Sequence, residues 1–321
     1  MYASDPAALS GGTAADPSDR RLWVDDDPFL RTVGGTPLVP LRRTVRSVGG
    51  GFELYGKAEF RNPTGSVKDR AALAIVRRAL DDGSLGPGRT LLDASSGNTA
   101  VAYAMLGARL GVPVELFVPA NIRPDRLARL HAFGAVVHLT RRDDGTDGAQ
   151  RAARAAAEAE PARYFYADQY NNPANPDTHY ETTGPELWRQ SRGRLTHLVA
   201  GVGTGGTISG CARFLKERAP GIRVIGVEPT GPLHGLEGLK HLPSAVRPGT
   251  YDGALVDETL RVETEEAQET AERVAREEGL SIGPSAGAAV AAALRIGAHA
   301  PGAVVVAVLP DGGRPGEEER P

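Results

Sequence analysis

The sequence predicts an α/β protein of two lobes, in which mostly parallel sheets are covered by helices. Its 321 residues exceed the length of one small domain. Strand-like and helix-like segments alternate along the chain, and this order favours parallel strands joined by helices. The run 304–309 is apolar at every position, as is typical of a strand that is buried on both faces of such a sheet.

The strand-like segments are short apolar runs separated by turn residues. We predict strands at residues 54–59, 90–94, 114–118, 135–139, 198–202, 224–228 and 304–309. Helices are predicted where apolar positions recur at helical spacing. They cover residues 67–80, 99–110, 125–133, 149–158 and 207–216, with a further helix around 267–274. A loop rich in Asn and Pro at 171–177 interrupts the alternation and is a candidate lobe boundary.

Composition argues against several classes of protein. The net charge is −3, whereas nucleic-acid binders usually carry a basic surface. The single cysteine, Cys211, and seven histidines without ligand spacing predict neither a disulfide framework nor a metal site. No apolar run approaches the roughly 20 residues of a membrane helix. Residues 1–20 lack the basic start and apolar stretch of a secretory signal. We therefore expect a soluble, cytoplasmic enzyme without nucleic-acid or membrane partners.

Lysine is rare in this chain, which draws attention to each position that keeps it. Only four of the 37 basic residues are lysines: Lys57, Lys68, Lys216 and Lys240. Arginine can replace lysine as a surface charge, but it cannot act as an amine nucleophile. Lys68 falls in the first turn of a predicted helix, where the positive end of the helix dipole favours the neutral amine. The alternative is an ordinary surface lysine.

Two further loops follow a predicted strand and precede a predicted helix, where open α/β sheets bind ligands. Residues 95–99 read Ser-Ser-Gly-Asn-Thr and form either a capping turn or a cradle for a carboxylate or phosphate. Residues 201–207 contain G-x-G-x-x-G, and Glu228 lies 22 positions after Gly206. That layout also fits a nicotinamide-dependent oxidoreductase, in which an acidic residue binds the ribose. Thr204 and Thr207 instead favour a nest for a terminal phosphate.

Pyridoxal phosphate uses all three loops, because it needs a lysine, a phosphate nest and groups for the substrate carboxylate. Five motifs occur in order: N-P-T-G-S-V-K-D-R (62–70), S-S-G-N-T (95–99), Q-Y-N-N-P-A-N (169–175), G-T-G-G-T (203–207) and G-P-S-A-G-A (283–288). In these motifs the chain resembles the cysteine synthase and cystathionine β-synthase family of fold-type II pyridoxal-phosphate enzymes. The resemblance extends from about residue 34 to residue 311.

The resemblance implies a tryptophan synthase β-like architecture and a homodimer, with the cofactor between two lobes. It implies a small mobile α/β subdomain at 55–160. Residues 1–36 are rich in Ala, Gly, Asp and Pro, and this composition predicts an N-terminal extension. Residues 37–54 together with 161–321 would then form the large cofactor-binding domain.

The resemblance also implies a role for each matched residue. Lys68 would form the internal aldimine and later shuttle the α-proton. Asn98 would form a hydrogen bond with the 3′ oxygen of the ring, and Ser285 would form one with the pyridine nitrogen. The cofactor phosphate would be held by Gly203, Thr204, Gly205, Gly206 and Thr207. The substrate carboxylate would be held by Ser95, Ser96, Thr99 and Gln169.

The expected chemistry follows from Ser285. A carboxylate at the ring nitrogen would keep it protonated, whereas a hydroxyl leaves the ring a weaker electron sink. A weaker sink suits loss of the α-proton and of a β-leaving group, giving an aminoacrylate that a nucleophile attacks. The sequence therefore predicts β-replacement on O-acetylserine or O-phosphoserine, with L-cysteine or a related amino acid as product.

Lys240 and His241 resemble the basic pair near the active-site mouth of the cysteine synthase B-like branch. Positive charge there would favour an anionic co-substrate: a phosphorylated serine, thiosulfate, or the thiocarboxylate of a sulfur-carrier protein. The alternative is a solvated loop charge. The physiological leaving group and nucleophile stay open at this point.

Other functions are also compatible with parts of the sequence. The same cofactor would serve a serine or threonine dehydratase, or a synthase of the 2,3-diaminopropionate type. A nicotinamide-dependent oxidoreductase is the alternative that the glycine pattern allows. A catalytically silent binding protein is disfavoured because Lys68 and Asn98 are intact.

Overall fold

The computed structural model describes Val24, residues 26–95 and residues 97–313. Most of the predicted N-terminal extension therefore lies outside the described residues. Ten strands are present in this part of the chain. They are β1 (Leu38–Pro40), β2 (Glu53–Ala58), β3 (Thr90–Ala94), β4 (Val114–Pro119), β5 (Val136–Thr140), β6 (Tyr164–Tyr166), β7 (His197–Gly201), β8 (Arg223–Pro229), β9 (Glu258–Val262) and β10 (Val304–Leu309).

Ten α-helices connect or cover these strands within the described ranges. They are α1 (Arg42–Arg46), α2 (Lys68–Asp81), α3 (Asn98–Leu110), α4 (Pro124–Ala132), α5 (Gly145–Ala159), α6 (Ala174–Thr178), α7 (Gly184–Gln190), α8 (Gly206–Arg218), α9 (Thr264–Glu278) and α10 (Pro284–Ala298). None of the helices in the described part of the chain has both the length and the apolar character that a membrane span requires.

The strands form two sheets. The six-stranded sheet has the order β1-β2-β10-β7-β8-β9, and the four-stranded sheet has the order β5-β4-β3-β6. Only the pairing of β1 with β2 is antiparallel among these strands. All six residues of β10 are buried between β2 and β7, as the apolar run predicts. The predicted α/β class with mostly parallel sheets is confirmed.

All seven predicted strands are present, and their ends differ from the prediction by one residue at most. The strands that the sequence analysis missed, β1, β6 and β9, all lie at sheet edges. Edge strands are short or half-exposed, so they carry little of the apolar signal on which the prediction depends. The predicted loop at 171–177 is wrong in part, because α6 begins at Ala174. Helix α10 was also missed, since it is apolar on nearly all sides and shows no amphipathic period.

The division into two lobes stays a proposal. Strand β2, at residues 53–58, pairs within the six-stranded sheet, and β6, at 164–166, pairs within the four-stranded one. The predicted boundaries at 55 and 160 therefore do not coincide with the edges of the sheets. The carboxyl ends of β3 and β7 lead directly into the loops 95–99 and 203–207, which carry predicted site residues.

Candidate active site

A cavity of about 610 Å³ opens between the loop after β3, the start of α2 and the segment between residues 232 and 245. Its walls include Lys68, Ser95, Asn98, Thr99, Gln169, Lys240 and His241. An adjoining smaller cavity shares Lys68 and Asn98. It is also lined by Gly203, Thr204, Gly205, Thr207 and Ser285. Residues from five separate motifs thus meet at one place.

Lys68 is the first residue of α2, as the sequence predicts within one residue. The preceding backbone N–H, that of Val67, donates to the carbonyl oxygen of Pro310 at 2.8 Å and ties this turn to the end of β10. Burial lowers the pKa of the Lys68 amine, while the carboxylate of Asp311 acts in the opposite direction. A desolvated amine with a lowered pKa is suited to nucleophilic and base chemistry.

Asn98 and Ser285 lie at the starts of α3 and α10 and are joined by one carboxylate. The amide nitrogen Nδ2 of Asn98 donates to Oδ2 of Asp311 at 3.0 Å. The hydroxyl of Ser285 donates to Oδ1 of Asp311 at 2.8 Å. The sequence analysis did not select Asp311. Its position two residues after the buried strand β10, at the carboxyl end of a parallel sheet, is the signal that could have found it.

The segments after β3 and β6 supply the predicted carboxylate-binding groups. The hydroxyl of Thr99 donates to Oε1 of Gln169 at 2.7 Å, and Nε2 of Gln169 donates to the carbonyl oxygen of Ala94 at 3.2 Å. Ser95 is buried and lines the cavity. Ser96 lies outside the described residues. The structure therefore brings together Thr99 and Gln169, which are 70 residues apart in the chain.

The loop 203–207 passes from β7 into the N-terminus of α8 through a close-packed turn. A Cβ atom at Gly203 would lie 2.1 Å from the carbonyl oxygen of Gly238. At Gly206 it would lie 2.0 Å from Oδ1 of Asn175. Larger residues are thus excluded from both positions. The backbone N–H groups at the start of this helix form an anion cradle, which fits a phosphate group.

His179 contacts this loop through its imidazole ring. Its Nε2 lies 3.2 Å from the hydroxyl of Thr207, and its Nδ1 lies 2.9 Å from the hydroxyl of Thr183. Burial lowers the pKa of the imidazole to about 3, and the charge of Arg70 contributes in the same direction. The folded protein therefore keeps His179 neutral near pH 7.

We expect acid to destabilise the fold partly through His179. Below pH of about 6.5 the unfolded chain binds a proton at this imidazole, whereas the folded chain does so only near pH 3. The melting temperature should accordingly fall as the pH drops from 6.5 towards 4. In His179→Gln this slope should be smaller, because the variant has no imidazole to protonate. Parallel melting curves for the two proteins across this range would contradict the assignment.

Glu228, the candidate ribose-binding residue, lines neither of the two cavities described above. It lies in β8 and is 5% exposed, and its carboxylate accepts a hydrogen bond from the backbone N–H of Leu242. Burial raises the pKa of this carboxyl group. The geometry therefore gives no support to the ribose-binding role that the nicotinamide alternative requires.

The predicted basic pair, Lys240 and His241, lines the cavity and is called the rim pair below. The side chain of Lys240 is only 12% exposed and is paired with a carboxylate. Nζ of Lys240 lies 3.2 Å from Oδ1 of Asp147 and 4.8 Å from the ring centroid of Tyr170. Nδ1 of His241 lies 2.7 Å from the hydroxyl of Ser244. Lys240 thus connects the segment after β8 to helix α5 across the cavity mouth.

Arg126 forms a second connection across the mouth. This side chain, on α4, is nearly buried and forms an ion pair with Glu237. Its Nη2 also lies 3.5 Å from Oδ1 of Asn98. The sequence analysis missed Arg126, since a single arginine among the many arginines of this chain carries no distinguishing local pattern.

The sequence is similar to that of several known proteins. A family model described as "Pyridoxal-phosphate dependent enzyme" matches residues 29–311. A cysteine synthase of Aquifex aeolicus is 45% identical over 307 residues, which cover 91% of this chain and 94% of that protein. A cysteine synthase B of Salmonella typhimurium is 42% identical and covers 88% of this chain and 92% of its own length.

Two solved structures are similar in fold. The cysteine synthase of Entamoeba histolytica superimposes with a TM-score of 0.84 at 32% identity, covering 98% of this chain and 91% of that one. An O-ureido-L-serine synthase superimposes with a TM-score of 0.82 at 36% identity, covering 89% and 91%.

Proposed function

This chain belongs to the pyridoxal-phosphate-dependent enzyme family, and from that premise we propose that it catalyses β-replacement on an O-activated L-serine. The product is L-cysteine or a related β-substituted alanine. The two cysteine synthases and the O-ureido-L-serine synthase named above support this reaction class, because each name describes a β-substituted alanine as the product.

The described residues fit the cofactor. The buried amine of Lys68 would hold its aldehyde carbon, and the cradle at 203–207 would hold its phosphate. Asn98 and Ser285 would hold the ring. When bound, pyridoxal phosphate withdraws electrons from the α-carbon of an amino acid, which makes the α-proton acidic and lets a β-substituent leave.

The side chains of this protein would then direct the reaction. Thr99 and Gln169, whose side chains are hydrogen-bonded to each other, would bind the substrate carboxylate together with Ser95. This contact would orient the α-carbon of the substrate. Lys68 would take the α-proton, and the leaving group would depart from the β-carbon with its bonding electron pair. The nucleophile would form its new bond to the same carbon, and Lys68 would return the proton to the α-carbon.

One observation carries this proposal: the buried amine of Lys68 and the loop 203–207 line the same cavity. In this loop a Cβ atom would clash at Gly203 and at Gly206. The test is a panel of substrates with the purified protein loaded with pyridoxal phosphate. O-acetylserine and O-phosphoserine are each combined with sulfide, thiosulfate, an amine or an oxygen nucleophile, and the amino-acid products are identified by mass. A keto acid with ammonia as the sole products would favour the dehydratase instead. A protein that binds a nicotinamide cofactor and no pyridoxal phosphate would overturn the proposal.

The rim pair gives a prediction about anionic substrates. Replacing both basic residues, Lys240→Ala with His241→Ala, should raise KM for O-phosphoserine or thiosulfate roughly fivefold, because a charge-assisted contact is lost. Use of O-acetylserine with sulfide should change much less. Added salt should reproduce part of the effect in the unaltered enzyme.

A matched control for this experiment is Lys216→Ala. Lys216 is also paired with a carboxylate, that of Asp257, but it does not line the cavity. The control should therefore leave all KM values unchanged. Equal losses for every substrate pair in the double variant would mean that the rim has a structural role only.

We further propose a homodimer that acts in the cytoplasm, with a small amino acid and a sulfur nucleophile as its ligands. A sulfur-carrier protein is a proposed additional partner, supported by the presence of Lys240 and His241 in the cavity wall. Analytical ultracentrifugation tests the dimer, and co-purification with a carrier protein ending in a thiocarboxylate tests the partner.

A further inference from the structure

Asn175 connects two parts of the proposed site that are far apart in the chain. It ends the motif 169–175, in which the family resemblance implies a role for Gln169 only. Asn175 is the second residue of α6 and is 2% exposed. Its amide nitrogen Nδ2 donates to the backbone carbonyl oxygen of Gln169 at 2.8 Å and to the hydroxyl oxygen of Thr204 at 3.1 Å. One buried amide therefore contacts both the proposed substrate-carboxylate site and the proposed phosphate cradle.

The orientation of this amide is fixed by its partners. A backbone carbonyl oxygen can only accept hydrogen bonds, so the atom of Asn175 that faces the carbonyl of Gln169 must be the nitrogen. The opposite orientation would place two acceptor oxygens against each other in the protein interior. Oδ1 accordingly faces Gly206, where a Cβ atom would lie 2.0 Å from it. The amide of Asn175 therefore has one allowed orientation.

The hydroxyl of Thr204 is consequently held as a hydrogen-bond acceptor on its protein side. Nδ2 of Asn175 and the backbone N–H of Gly206, which lies 3.4 Å from the hydroxyl oxygen, can both only donate. Among the residues that the structure describes, none accepts the hydroxyl proton of Thr204. Since Thr204 lines both cavities, this proton is available to a ligand with an acceptor oxygen, such as a phosphate.

Gln169 is held on its backbone as well as through its side chain. Its carbonyl oxygen accepts from Asn175, and its backbone N–H donates to Oδ2 of the buried Asp93 at 3.4 Å. These two contacts set the place from which the side chain reaches Thr99. The position of the proposed carboxylate-binding amide therefore depends in part on Asn175.

A different residue joins the main chains of the two loops. The hydroxyl of Thr250 lies 2.6 Å from the carbonyl oxygen of Thr204 and 3.2 Å from that of Tyr170. The backbone N–H of Thr250 donates to the same carbonyl of Tyr170 at 3.0 Å. These contacts do not involve Asn175, so they would remain if its side chain were removed. Asn175 thus acts on the orientation of Thr204 and Gln169 and not on the distance between the loops.

We propose that Asn175 is a positioning residue that turns the Thr204 hydroxyl towards the cofactor phosphate and holds Gln169 for the substrate carboxylate. This proposal rests on the proposed function, which supplies both ligands. It makes one side chain responsible for part of the cofactor retention and for part of the substrate affinity.

The test measures two quantities on the holoenzyme. The first is the rate at which pyridoxal phosphate is released during dialysis, followed by its absorbance, and the second is KM for O-acetylserine with sulfide. In Asn175→Ala both should rise about five- to tenfold, because two buried acceptors lose their donor. Saturating kcat should change less than KM, since Asn175 touches neither ligand. Asn175→Asp keeps the volume of the side chain but removes both N–H donors, and it should change both quantities in the same direction.

Replacing Thr204 separates the two effects. In a Thr204→Val background, Asn175→Ala should accelerate cofactor release by less than about twofold, because the hydroxyl that Asn175 orients is absent. The rise in KM should persist in this background, since it acts through Gln169. An undiminished acceleration of release would overturn the proposal, because Asn175 would then not act through Thr204.

Asn172→Ala is the matched control in the same loop. The side chain of Asn172 bonds the carbonyl oxygen of Ala167 at 2.9 Å and the N–H of Ala174 at 3.1 Å, and it lines neither cavity. Release and KM should stay within about twofold of the unaltered enzyme.

Two further results would overturn the proposal while leaving the proposed function intact. One is an equal effect of Asn172→Ala and Asn175→Ala, which would mean that any loosening of the loop suffices. The other is unchanged release and unchanged KM in both Asn175 variants. Failure of the unaltered protein to take up pyridoxal phosphate would overturn the proposed function itself, and the role of Asn175 with it.

Discussion

Lys68→Ala is expected to abolish turnover while the protein still folds. The amine is the proposed attachment point of the cofactor and the proposed carrier of the α-proton, and positioned proton transfer alone contributes roughly 10²–10⁴-fold to rate. We therefore expect a loss of at least about 10³-fold in kcat. The fold should persist, because alanine is the best helix former and the position is the first of α2.

The measurement combines product formation with the covalent state of the cofactor. Borohydride reduction followed by peptide mass analysis should place the cofactor on Lys68 in the unaltered enzyme and on no lysine in the variant. Lys216→Ala, at a lysine outside the cavity, should retain both the modification and the rate. Cofactor attached to a different lysine in active Lys68→Ala would disprove the assignment.

Glu186→Gln should destabilise the fold strongly, because Glu186 belongs to a buried cluster of charges. The cluster consists of Lys57, Glu59, Arg70 and Glu186, whose side chains are at most 9% exposed. Glu186 accepts from Nζ of Lys57 at 2.5 Å and from Nη2 of Arg70 at 2.8 Å. The two positive and two negative charges balance, so an uncharged glutamine leaves one positive charge without a counter-ion.

Removing one partner of a buried ion pair costs about 3–5 kcal/mol of unfolding free energy. For a chain of this size that corresponds to a drop in melting temperature on the order of 10 °C. Glu53→Gln is the matched control. Its ion pair with Arg194 is about half exposed, and we expect a loss of less than about 1 kcal/mol. Equal losses in the two variants would contradict the importance of burial.

The effect of Glu186→Gln should also depend on pH. Burial favours the neutral acid, but the hydrogen bond and charge of Arg70, followed by those of Lys57, lower the pKa of Glu186 to about 2. A carboxylate with a depressed pKa stabilises the fold fully above its ordinary value of 4.5, and this contribution is lost as the pH falls towards 2. The difference between the two proteins should therefore be largest near neutral pH and shrink in acid.

This cluster explains one lysine that the sequence analysis singled out without assigning it. Lys57 is not a second nucleophile, since its amine is held by Glu186, by the carbonyl oxygen of Thr36 at 2.6 Å and by Gln190 at 3.0 Å. Arg70, two residues after Lys68, links the cluster to helix α2. The cluster thus fixes the helix on which the proposed nucleophile stands.

The sequence by itself determined the α/β class, the central strands and the loops that carry the proposed site residues. Each of these depends on local information: apolar runs mark buried strands, and closely spaced Gly, Thr, Asn and Lys mark the turns that follow them. The position of Lys68 in the first turn of α2 and the cradle at 203–207 follow from such patterns. For this reason they could be found without coordinates.

Only the tertiary structure decided which side chains meet. Asp311 reaches Asn98 across 213 residues, Lys240 reaches Asp147 across 93, and Glu186 reaches Lys57 across 129. A charged side chain has the same local pattern whether it ends in solvent or against a distant partner. The partner of such a side chain depends on how the two sheets and their helices pack. That packing excludes water and brings the opposite charge within hydrogen-bonding distance.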